Sequence, residues 1–132
     1  MGAWGYGNFD NDDASDWVWE LEESSDDTVL KRAFEAVSTG EYVEAPDCAV
    51  ALAAAEVVAA LREHPVEKLP EGVVAWVSAR NATASDELLA VARRAVETIL
   101  AESEMRELWE ETEDFAEWQK LLQGLLVRLG AT

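Results

Sequence analysis

Asp10, Asp12, Asp13 and Asp16, with Glu20 one turn further on, form the densest group of side chains in the chain able to do chemistry. Asp12, Asp16 and Glu20 are spaced by four, so on a helix they share one face and repel one another. A hard divalent cation would relieve that repulsion, because such ions take carboxylate oxygens as ligands. Ca²⁺ or Mg²⁺ bound by Asp10, Asp12, Asp13 and Asp16, as a metal site or a metal-dependent hydrolase centre, is therefore the alternative reading of this segment. The calcium-loop pattern fails, however. Counting from Asp10, Ala14 takes the fifth position, no Gly the sixth, and Leu21 stands where a bidentate Glu belongs. The plainer reading is a helix start capped by Asp10 or Asn11, with Asp12 and Asp13 in its first turn favoured by the helix dipole.

No other group completes a catalytic set. Cys48 near a helix start would have a lowered thiol pKa, but Asp47 adjoins it and the single histidine, His64, lies about four helical turns away. Packing as a small hydrophobe is the expectation for Cys48. One Cys and one His are too few for zinc, and His64 before Pro65 suits a helix end. Gly2, Gly5 and Gly7 precede a helix as phosphate loops do, yet no strand leads in, no Lys follows, and aspartates occupy the place of the phosphate. An irregular arm anchored by Trp4, Tyr6 and Phe9 explains the glycines better.

Charge narrows the partners. The 132 residues carry a formal charge of −18, from 10 Lys and Arg against 28 Asp and Glu. Nucleic acid is excluded, since phosphate contacts require basic side chains to displace counterions. Anionic membrane surfaces are disfavoured for the same reason. Basic proteins and divalent cations stay compatible. A second acidic run, Glu102 to Glu117, is offset only by Arg106. Of the six tryptophans, Trp17, Trp76 and Trp118 fit buried stripes, whereas Trp19 and Trp109 are expected to be partly exposed and able to anchor a partner. The binding candidates are thus Trp4, Phe9, Asp10, Asn11, Asp12, Asp13, Asp16, Trp19 and Trp109.

The elements that hold these residues are expected to be helices throughout. With 49% hydrophobic residues the chain can fold, and no segment alternates as a strand would. We expect one helical domain over 1–132, an irregular arm over 1–10 and an all-α bundle of five to seven helices over 11–132. Apolar stripes mark helices at about 11–23 (Ala14, Trp17, Val18, Leu21) and 26–39 (Leu30, Ala33, Phe34, Val37), the second capped by Ser24 or Ser25 and ended by Gly40. A third runs over 46–63, with Val50, Ala53, Ala54, Val57 and Leu61 facing inward and its alanines implying a close neighbour. A short helix follows at 70–80, with Val73, Val74, Trp76 and Val77 and Asn81 at its end. The next, at 85–102, is capped by Ser85 and carries Leu88, Ala92, Ala95, Val96 and Ile99. A break is expected near Ser103. The last helix, 112–129, places Phe115, Trp118, Leu122, Leu125 and Leu129 at 3-4 spacing before Gly130. The segment Tyr42–Ala45 fits no element. The single cysteine excludes an intrachain disulfide, and no signal peptide or ~20-residue apolar span is evident; a cytoplasmic location is expected. The alanine-rich helix and spare aromatics also suit a homodimer.

The opening Met1-Gly2-Ala3-Trp4-Gly5, then Phe9-Asp10-Asn11-Asp12-Asp13-Ala14 and Asp16-Trp17, resembles the bacterial domain of unknown function 4259 family. Ala49 to Ala60 with its Ala-Ala-Ala-Glu run, Leu69-Pro70 leading to Trp76-Val77, and Ser103-Glu104 leading to Leu108-Trp109-Glu110-Glu111 are similar to the same family. The opening motif is the specific part; Tyr6 and Asn8 fall at positions that vary. The resemblance implies a small bacterial protein with its emphasis on Gly2 to Trp17, and it transfers no activity. The function expected from the residues is a non-catalytic interaction protein presenting a negative surface to a basic protein.

Overall fold

The computed structural model describes residues 7–24, 26–38, 41–66, 68–79 and 84–130. The expectations for Gly2, Trp4, Gly5, Tyr6, Ser25, Gly40 and Asn81 lie outside those residues. The described chain is all-α, with seven helices and no strand: α1 Asp12–Glu22, α2 Thr28–Glu35, α3 Ala45–Leu61, α4 Glu71–Ser78, α5 Asp86–Ala101, α6 Glu104–Glu110 and α7 Phe115–Arg128.

The ends follow local chemistry. Asn11, in extended backbone, caps α1 by accepting from the Ala14 N–H at 2.8 Å. Ser85 caps α5 in the same way through Leu88 N–H. α2 departs from expectation: its flanking residue is Asp27, which makes no side-chain cap, and Asp26 instead accepts from Thr28 N–H. The break at Ser103 is real. Its hydroxyl donates to Ile99 O at 2.8 Å and accepts from Arg106 N–H at 3.0 Å, so one buried oxygen closes α5 and opens α6. α7 ends at Gly130, whose φ of +89° suits a residue without Cβ.

α3 corrects the sequence reading. A single inward stripe is expected there, but all of Ala51–Ala60 is buried, while Val50 and Leu61, expected inside, are only half-buried. The physical reason is its place at the centre, where each of the other six helices packs against it. Small side chains on every side let those neighbours approach closely. The alanines that suggested a dimer face are thus used within the chain. Val74 of α4, expected in the core, is instead 47% exposed.

Polar ties fasten the outer helices. Trp76 Nε1 donates to Ser24 O at 3.0 Å, joining α4 to the end of α1. Arg62 reaches Ala84 O and Asp86, joining the ends of α3 and α5. The segment before α3 is pinned by α6. Glu104 N–H donates to Val43 O, Glu104 Oε1 accepts from Ala45 N–H at 2.7 Å, and Tyr42 donates its hydroxyl to Glu107.

Candidate functional site: an acidic helix face and the buried carboxylate beneath the arm

α1 divides its residues sharply. Ala14, Trp17, Val18 and Leu21 are buried, as the apolar spacing requires. Asp12, Asp13, Asp16, Glu20, Glu22 and Glu23 are exposed, and α1 carries no Lys or Arg. Among the described residues, Asp12, Asp13, Asp16 and Glu20 form no hydrogen bond or ion pair through their carboxylates. Trp19 stands among them at 70% exposure. An indole that open to water is unusual, because a large aromatic surface gains most from burial.

The aspartates do not converge. Asp10 N–H donates to Gly7 O at 3.0 Å, closing a tight turn, and the Asp10 carboxylate folds back over Gly7. Asp12, Asp13 and Asp16 point outward from the helix instead. Among the described residues, no three or more His, Cys, Asp or Glu side chains gather as a metal ion would need. Phe9 packs against the core from the same turn. Trp109 departs from expectation: it is 8% exposed in α6 rather than a surface anchor, because α6 folds back at Ser103 and turns that side onto the core.

The Gly7–Asp10 turn also delivers Asn8, and this the sequence did not signal. Asn8 is buried and its Nδ2 donates to Glu56 Oε2 at 2.8 Å. Glu56 is 1% exposed in the middle of α3. Arg128, in the last turn of α7, donates to Oε1 at 2.7 Å and to Oε2 at 3.2 Å. A lone buried carboxylate is costly; three charge-assisted or amide donors offset that cost here. The arm, the central helix and the final helix therefore meet on one carboxylate. A clue was present, since Glu56 is the single ionisable side chain able to charge inside the apolar run Ala49–Leu61.

Cys48 is fully buried, with its thiol 3.9 Å from Val43 O. Burial pushes the thiol up to about 11, and the neighbouring Asp47 and Glu104 add to the rise. That is the opposite of an activated nucleophile. His64 is exposed and its carbonyl lies 3.4 Å from Arg128.

The family model described as "Domain of unknown function (DUF4259)" matches residues 2–121. The chain belongs to the DUF4259 family. Within the matched span lie the acidic face of α1, Asn8 and Glu56; Arg128 lies beyond it. No curated protein and no solved structure matches this DUF4259 chain. No helix among the described residues is long and apolar enough to cross a membrane.

Proposed function

We propose that this protein is a non-catalytic, cytoplasmic interaction protein that presents a negative surface to a basic protein partner. The observation that carries this reading is the exposed face of α1, where unpaired carboxylates surround a solvent-facing Trp19. Such a face supplies both long-range attraction and an apolar anchor. Opposite charge speeds encounter, and an aromatic ring accepts a guanidinium or ammonium group across its face. An immunity-like or antitoxin-like role is one form of this function, in which the acidic face covers a basic partner. The acidic run of α6 and α7 would extend the same field.

Capture from a bacterial lysate at low and at high salt tests the reading. A basic protein retained at low salt and released at high salt supports it. Recovery of no basic protein sinks it. Divalent-metal binding by the aspartates, the alternative, has the four-residue spacing in its favour. It requires that millimolar Ca²⁺ or Mg²⁺ raise the melting temperature, as any ligand of the folded state must.

A further inference from the structure

We propose that the hollow between the end of α2 and the outer side of α5 binds a short zwitterionic peptide, with its carboxylate on Arg94 and its ammonium at Glu102. The hollow measures about 610 Å³, within the roughly 300–1,000 Å³ of small-molecule sites. Val37 and Val43 line it from one side and Val91 from the other. The first two are buried and the third half-buried, which gives an apolar floor.

The polar groups lie in one row along α5. Arg94, Thr98 and Glu102 are four residues apart and all line the hollow. Among the described residues Arg94 forms no hydrogen bond or ion pair, although the sequence holds 28 Asp and Glu. Its planar fork matches a carboxylate with two parallel hydrogen bonds. Glu102 caps the C-terminal end of α5 and keeps an exposed carboxylate, which can pair with an ammonium. The eight residues between Arg94 and Glu102 correspond to about 12 Å of helix rise, close to the ~10 Å of three extended residues. The Thr98 hydroxyl sits midway, where a peptide group would pass.

Charge selects the zwitterion over simpler ligands. The Glu102 carboxylate lines the hollow, so a plain anion is repelled from it. A plain cation would leave Arg94 unmatched. The proposal shares no residue with the α1 face and stands apart from it.

Calorimetric titration of the full chain with the tripeptide Ala-Val-Ala tests this site. The free tripeptide is expected to bind at millimolar concentration or tighter. Amidation of its C-terminus, and the Arg94→Gln variant, are each expected to weaken binding at least about tenfold, the usual order for losing a charge-assisted pair. N-acetylation and Glu102→Gln are expected to weaken it several-fold. Both altered side chains are exposed, and circular dichroism checks that each variant folds; the blocked peptides test the wild-type chain regardless. Absence of saturable heat with the free peptide, equal binding of the blocked peptides, or unchanged binding to a folded Arg94→Gln variant overturns the proposal.

Discussion

Arg128 spans 72 positions of sequence to close on both oxygens of Glu56. The carboxylate is sealed in the core, whereas the arginine side chain keeps 23% of its surface in water. The pair therefore has a buried end and a wet end, and its two residues are not equivalent under substitution.

Arg128→Ala leaves Glu56 buried with Asn8 as its remaining side-chain donor. A loss of about 3 kcal/mol is expected, the lower end for breaking a buried pair. Glu56→Gln keeps the shape and one acceptor oxygen for the surrounding donors, so it should cost less than Glu56→Ala. The double change Glu56→Leu with Arg128→Met should recover part of the loss, since apolar replacement removes the desolvation penalty of both charges but leaves the buried Asn8 amide without its acceptor. Urea unfolding of the set measures this; an Arg128→Ala variant as stable as the parent would show that the pair contributes nothing.

Ser103→Ala removes a buried hydroxyl bonded to both Ile99 O and Arg106 N–H. A cost of about 1–2 kcal/mol is expected, the range for losing a helix N-cap. Ser103→Thr should retain more of the stability than Ser103→Ala does. Thermal melts followed at 222 nm, the usual helix wavelength, decide between a cap and a passive small residue; an alanine variant with an unchanged melt argues for the latter.

Cys48 makes stability depend on alkaline pH. Its folded thiol is raised from 9.0 to about 11, chiefly by burial. Between those values the unfolded chain loses the proton and the folded chain keeps it. Stability is therefore full below about pH 9, falls as pH rises toward 11, and levels off above that. The expected loss is about 2 kcal/mol over that window. Tyr42, raised to about 12 by its hydrogen bond to Glu107, acts in the same direction at higher pH. Urea midpoints at about pH 8 and about pH 10.5, compared between the parent and Cys48→Ala, isolate the thiol contribution; parallel pH profiles would contradict it.

Trp19→Ser should leave stability within about 0.5 kcal/mol, as for other exposed substitutions. Retention of a basic partner should fall several-fold if the indole is an anchor. Trp17→Ser, by contrast, empties a buried position and should unfold the chain or cost several kcal/mol. Equal retention by the parent and Trp19→Ser would remove the tryptophan from the interaction.

The helices were legible because their apolar residues repeat at helical pitch and their ends carry strong local signals. Asn11, Ser85, Ser103 and Gly130 each act at a boundary through a side chain or a backbone angle, and each is readable in a window of a few residues. α3 was half legible. An alanine-rich run announces close packing but not how many neighbours will supply it, and a central helix has no polar side to mark its orientation. Trp109 was misplaced because its exposure depends on the direction α6 takes after Ser103, a tertiary matter. Asn8, Glu56 and Arg128 were illegible as a group, since their association is set by the packing of three distant segments. Glu56 alone betrayed itself, as a charge without relief in an apolar helix. On α1 the division between buried Trp17 and exposed Trp19 followed directly from the period. Whether the aspartates gather or spread did not, because that depends on the turn which folds Asp10 back toward Gly7.

A helix walled in by all six others leaves the molecule no detachable part. Stripping away an outer helix would wet a flank made mostly of alanine and valine methyls, and losing α7 would also leave the Glu56 carboxylate without its arginine. Denaturation should accordingly proceed as a single concerted event, and excised fragments lacking an outer helix should clump rather than persist as smaller folded units.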